Sequence, residues 1–183
     1  MKQQSAMGAF ALALSVLFSL RAYTADDERA APGIALIDLD YRDTSGETTD
    51  QTEAHAKRLR RFMDSLRDDL TRDGHFRIVE PKCDPAPCSI TGTDTQSLLE
   101  AAQAAGADLL LFGGILKAST LIQFANVVVS DVAHDKVVVQ RSLNFRGDDD
   151  RSWMRAEKFV AKQLTEELAN WQEKAAGEDS SGT

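Results

Sequence analysis

A change of rhythm along the chain constrains its fold more than any other feature. Ile34 to Tyr41 (IALIDLDY) and Asp108 to Leu116 (DLLLFGGIL) are nearly continuous apolar runs, the first turning polar at its end. Such runs suit strands covered on both faces, the usual state of a parallel sheet. Two segments of helical spacing lie between them. From about Glu53 to Asp73, Leu59, Phe62, Met63, Leu66 and Leu70 share one face, while Lys57, Arg58, Arg60, Arg61 and Arg67 sit largely on the other. From about Thr95 to Ala105, Leu98, Leu99, Ala101, Ala102 and Ala105 make a packing face of small residues. Asp94 is its expected N-cap and Gly106 its stop, as Gly74 is for the first helix. A short strand, Phe76 to Glu80, separates the two helices and ends at Pro81.

The second half of the chain reads differently. Leu121 to Val132 and Val137 to Phe145 are long β-branched runs joined by Ala133-His134-Asp135-Lys136, which predicts a hairpin. A last helix follows from about Asp150 to Trp171, with Trp153, Ala156, Val160, Leu164, Leu168 and Trp171 on one face. The order β-α-β-α-β-β-β-α predicts an α/β fold: a mixed five-stranded sheet, parallel in its first half and an antiparallel meander in its second, with helices packed against it. The paired Gly113 and Gly114 predict a bulge or a close backbone approach. One domain is expected over residues 34–171, with a disordered polar tail over 172–183.

The first residues read as an address. Lys2 precedes an uncharged apolar run from Ala9 to Leu20, too short to span a bilayer core of about 20 apolar residues but suited to a cleaved secretory signal. Cleavage is expected after Ala25, or after Ala22; an uncleaved anchor is the alternative. Residues 1–25 then form the signal and 26–33 a polar leader. Removing Lys2 and Arg21, and no acids, takes the formal charge from −8 to −10. The expected product is a periplasmic protein with no membrane insertion after cleavage. Its acidity argues against nucleic acid as a partner, because phosphate contacts need a basic surface.

Cys83 and Cys88 bracket Asp84-Pro85-Ala86-Pro87. Two close thiols in an oxidising compartment usually pair, so a structural disulfide is expected. The four-residue spacer departs from the redox Cys-x-x-Cys pattern. A zinc site would need two further ligands, and no His has the spacing to supply them.

Several blocks carry a resemblance. Ile34 to Leu39, "RLRRFMDSLRDDLTRDGHFRIVE", "GADLLLFGGIL" and "VVVSDVAHDKVV" together resemble the N-terminal domain of TolB and the CsgG-like periplasmic domains, over about Gly33 to Arg146. Over about Ile34 to Trp171 the chain is also similar to an exported bacterial family of unknown function. The residues of that likeness are the strand Leu121 to Asp131 and the segment Arg146-Gly-Asp-Asp-Asp150-Arg-Ser-Trp153 that opens the last helix. The first resemblance implies an interaction module in an envelope assembly. The second implies no reaction, so no catalytic residue is assigned.

The residues themselves suggest little chemistry. Asp38, Asp40, Asp43, Glu47 and Asp50 evoke a calcium loop, but read from Asp38 the sixth position is Asp43 instead of Gly and the twelfth is Thr49 instead of Glu. They are read as solvated acids at a strand end. Asp148, Asp149 and Asp150 are expected to accept backbone N–H groups at the helix start, with a cation site as the alternative. Arg146, Asp150 and Trp153, with Asn126, mark a candidate ligand or partner corner. The same residues would also make a structural clasp in which Asp150 caps the helix, Arg146 pairs with it and Trp153 fills the edge of the core. His55, His75 and His134 are expected at the surface, and the basic run Lys57 to Arg61 is a solvated face or a dock for an acidic partner. No nucleophile elbow, zinc-protease, phosphate-loop or dinucleotide motif occurs, and no cofactor or metal is implied. The leading expectation is a non-enzymatic accessory module that binds another envelope protein. The alternative is a small-ligand or metal-binding protein, and an enzyme is the third reading.

Overall fold

The computed structural model describes residues 31–84 and 86–181. The signal, its cleavage sites and leader residues 26–30 lie outside the described residues. Among the described residues the chain forms β1 (Gly33–Leu36), β2 (Asp40–Asp43), α1 (Thr52–Thr71), β3 (Arg77–Val79), α2 (Thr95–Ala104), β4 (Leu109–Lys117), β5 (Ile122–Asp131), β6 (Lys136–Arg146) and α3 (Asp150–Ser181). One mixed sheet runs in the order β3-β1-β4-β5-β6, with β2 also paired to β4. Strands β3, β1 and β4 are parallel, and β4, β5 and β6 are antiparallel, as the change of rhythm predicts.

The sheet has one strand more than expected because the first apolar run is broken. Leu36 pairs with Leu111 and Asp40 with Gly114, so three residues, Ile37 to Leu39, stand opposite Phe112 and Gly113. The cause lies in side-chain alternation. An unbroken strand would turn Asp38 toward the apolar face that Ile34 and Leu36 occupy. The bulge instead sends Leu39 to that face, where it is buried, and leaves Asp38 outside, 2.7 Å from the Arg67 guanidinium. The glycines opposite serve the same region. A Cβ on Gly113 would stand 2.0 Å from the Asn126 carbonyl oxygen, and one on Gly114 would stand 3.1 Å from that of Asp40.

Helices α1 and α3 cover one face of the sheet. Phe62, Met63, Leu66 and Leu70 of α1 and Trp153, Val160, Leu164 and Leu168 of α3 pack on Ile34, Leu109, Leu111, Ile115, Ala125 and Val127. Helix α2 covers the other face only in part. Its Leu98, Leu99 and Ala102 pack on Ala35, Ile37, Val79 and Leu110. The burial pattern of β4 records the boundary: Leu109 to Leu111 are all buried, and from Phe112 onward buried and half-buried residues alternate. Asp94 caps α2 as expected, its carboxylate accepting the Ser97 N–H at 3.0 Å. Helix α3 continues past Trp171 to Ser181. The segment after Trp171 is rich in Glu, Lys and Ala, all good helix formers, and Gln172 donates to the His75 carbonyl at 3.2 Å.

Candidate functional site

The corner assembled from sequence divides between the two faces of the sheet. Asp150 and Trp153 lie at the start of α3, on the helix-covered side. Asn126 and Arg146 belong to the uncovered side, because Asn126 pairs with Ser142 and Ile122 with Arg146, four residues apart on each strand and so on one face. The expected clasp is therefore built from other residues. Asp149, not Asp150, is the cap of α3, accepting the Ser152 N–H at 2.8 Å and its hydroxyl at 3.2 Å. Asp150 is held by α1: Arg58 Nε lies 3.1 Å and Arg61 Nη1 2.5 Å from its two oxygens. Two of the cations read as a solvated face thus tie α1 to α3.

The third acid, Asp148, turns inward and organises a polar cluster. Its Oδ2 accepts from Lys117 Nζ at 2.7 Å and from His55 Nε2 at 2.8 Å, and its Oδ1 accepts from Arg58 at 2.9 Å and from Gln123 at 3.3 Å. Lys117 is fully buried at the end of β4 and also pairs with Glu47, while Asp43 Oδ2 is 3.8 Å from its Nζ. Burial works against charge on both groups. The hydrogen bonds prevail, holding the Asp148 carboxyl below the usual carboxylate range and the Lys117 ammonium above its ordinary value. Tyr41 closes the cluster, its ring centroid 4.7 Å from that of His55 and 5.7 Å from that of Trp153. Burial, and then the nearby Asp43 and Asp148 charges, push its hydroxyl up. His55 is thus a core histidine, not a surface one. Asp43 and Glu47, read as solvated strand-end acids, face a buried internal cation. The charged groups of this cluster are engaged with one another, while the buried Tyr41 hydroxyl and Gln123 Oε1 have no hydrogen-bond partner. Among the described residues no group of three or more His, Cys, Asp and Glu side chains is placed to hold a metal ion.

Beside this cluster a cleft of about 130 Å³ opens between α1 and α3, lined by Arg58, Phe62, Trp153, Met154 and Glu157 among others. Glu157 is 1% exposed, and its Oε2 accepts from Ser65 Oγ at 2.9 Å; burial pushes its carboxyl up.

The opposite side of the sheet is open. Phe112, Val128 and Gln140 form one row across β4, β5 and β6; Gly114, Asn126 and Ser142 form the next, and Leu116, Phe124 and Asn144 the third. Phe124 is 39% exposed. A groove of about 470 Å³ runs along this face, floored by Gly113 and Gly114 and bordered by Phe112, Asn126, Val128 and Ile90. Its wall is fixed by Asp40, which accepts from Ser89 Oγ at 3.0 Å and from the Thr91 N–H and hydroxyl at 3.0 and 2.8 Å. The loop carrying that wall follows the Cys83–Cys88 disulfide, whose Cα atoms are 5.1 Å apart. Among the described residues, no helix is long and apolar enough to cross a membrane.

The polar cluster was detectable in one respect. Lys117 and Gln123 are register partners and continue the buried alternation of Ile115 and Ala125, so each is a polar residue at an inward position. His55 likewise extends the apolar stripe of α1, four residues before Leu59.

A model of the family DUF3280, described as a protein of unknown function (DUF2380), matches residues 32–164, most of the chain. No curated protein matches it. Among solved structures, TolB from Acinetobacter baumannii is similar with a TM-score of 0.49 and 18% identity, over 76% of this chain but only 29% of that one. The C-terminal domain of LpoB from Escherichia coli is similar with a TM-score of 0.44 and 15% identity, over 66% of this chain and 86% of that one. PelC from Paraburkholderia phytofirmans, a dodecamer, gives 0.46 and 17%, over 74% and 86%. At such scores and identities the likeness assigns neither an activity nor a partner.

Proposed function

This chain belongs to the DUF3280 family, and we propose that it serves as a periplasmic, non-enzymatic module that binds a protein partner through the open face of β4, β5 and β6. The observation that carries this reading is the half-covered sheet. Helix α2 covers β3, β1 and the start of β4, with Phe112 packed at its border, so Leu116, Phe124 and Val128 continue from Phe112 as an apolar strip with polar Gln140, Ser142 and Asn144 along its margin. An apolar strip with a polar border is the usual form of a protein-binding patch. The open face also lies on a rigid base, because the cluster around Asp148 and the core under α1 and α3 fix the other side of the same strands. The densest set of charged groups, by contrast, is enclosed and ion-paired within itself, which supports a structural role for it. The test is capture of partners from periplasmic extract by the tagged chain and by its Phe124→Asp variant. A stoichiometric partner retained by the wild type and lost by the variant is the expected result; equal capture by both removes this face from the reading.

The α1–α3 cleft supports a second reading, binding of a small ligand beside Trp153. Cavities of about 150 Å³ hold one benzene-sized molecule, so only a small compound fits. A thermal-shift screen with small aromatic acids and amines tests it. A ligand at a hundredfold excess over its Kd stabilises the native state by about 2.7 kcal/mol, and a screen with no shift excludes the cleft as a ligand site.

A further inference from the structure

The two edges of the sheet are unequal. At one end β3 has three residues, and its Val79 is covered by α2. At the other end β6 has eleven residues, pairs only with β5, and is terminal in the sheet. Most of its side chains are exposed, Val137 to 51%. Such an edge presents unpaired N–H and C=O groups that template a further strand. It carries neither proline nor glycine.

Its charge selects what can pair with it. The sequence KVVVQRSLNFR holds three basic residues and no acid, in a chain whose net charge is −8. Arg141 is held by Glu167 of α3, but among the described residues neither Lys136 nor Arg146 belongs to an ion pair. The acids that follow the strand are engaged elsewhere: Asp148 with Lys117, Asp149 with Ser152 and Asp150 with Arg58 and Arg61. A second copy of this chain is disfavoured on the edge. Antiparallel pairing of β6 with itself would set Lys136 against Arg146 and Arg141 against Arg141, and like charges directly opposite are destabilising.

We propose that β6 accepts an extended acidic segment of a partner protein as a further strand. Main-chain hydrogen bonds would supply affinity, and acidic side chains near both ends of the added strand would meet Lys136 and Arg146, which stand roughly 33 Å apart at strand rise. The segment is therefore about ten residues long, with β-forming residues between its acids. The proposal rests on the protein-binding reading and names the chemistry of the partner.

Amide hydrogen exchange of the full-length chain tests it with two synthetic peptides of alternating Thr and Val, one with Glu at both ends and one with Lys. At about tenfold excess over its Kd, the acidic peptide is expected to slow exchange of the β6 amides about tenfold and leave those of β3 unchanged. The basic peptide is expected to do nothing. The K136E/R146E variant, altered only at exposed positions, reverses the preference. Equal protection by both peptides, or none on β6, overturns the proposal. If β6 is unprotected while Phe124→Asp still loses its partner, the edge proposal fails and the protein-binding reading stands. Failure of both results removes both.

Discussion

On the helix-covered side of β4 and β5, Ile115 is 2% exposed and Ala125 and Val127 are fully buried; on the other side of the same strands, Phe124 is 39% exposed. The covered side even buries charge, closing Lys117 among Asp148, Glu47 and Asp43. The open side leaves phenylalanine in water. One sheet therefore supports two regimes. Packing and paired charge fix the strands from beneath, and the upper face presents half-buried and exposed apolar groups. A helix of ten residues, α2, is long enough to cover only half of the sheet, and this is what separates the two.

The sharpest way to break this comparison is to alter the buried cation. Lys117→Met removes the buried cation that Asp148 and Glu47 share, leaving Asp148 to His55 and Arg58, and removing one member of a buried pair is expected to cost about 3–5 kcal/mol, read from the midpoint of denaturant unfolding. A change of similar chemistry on the open side, Arg146→Met, is expected to stay within about 0.5 kcal/mol. The same pair fixes the pH response. The native Asp148 carboxyl is held below its unfolded value, so its contribution is present above the ordinary carboxylate range and lost as pH falls through the lowered native pKa. Lys117 is raised, so its contribution is lost only as pH rises through the native lysine pKa. Acid titration of the unfolding midpoint should show Lys117→Met flatter than wild type.

Gly113→Ala comes next. It places a Cβ on the Asn126 carbonyl, and overpacking of this kind is expected to cost about 1–3 kcal/mol by denaturant unfolding. Asp149→Ala removes the cap of α3 and is expected to cost about 1 kcal/mol, whereas Asp150→Ala tests the surface pair with Arg58 and Arg61 and should cost less. The smallest effect on stability belongs to Phe124→Asp, within about 0.5 kcal/mol. Its effect on partner capture is expected to be the largest of the set.

Much of the fold was legible in the sequence because it rests on periodicity. The continuous run at Leu109 to Leu111 marked the doubly covered part of β4, and the β-branched runs on either side of His134 marked the hairpin. The bulge at Ile37 to Leu39 is not legible in the sequence, because it follows from keeping Asp38 out of an apolar face whose position depends on the whole sheet. The candidate corner is divided between two faces for a related reason. Arg146 and Asp150 are close in sequence, but the turn at Gly147 sends one to the open face and the other to α1, and pairing with Arg58 is set by helix packing. The extent of α3 past Trp171 is not legible from polarity, because Glu, Lys and Ala suit both solvent and helix.

The most direct measurement is photo-crosslinking in periplasm from a single reactive residue placed at Phe124 or Val128 on the open face, or at Lys162 or Gln163 on α3. The account predicts a discrete protein adduct from the two open-face positions and none from the two helical ones. Adducts from α3 alone, or equally from both sides, would contradict the claim that the uncovered face of the sheet is where this protein meets its partner.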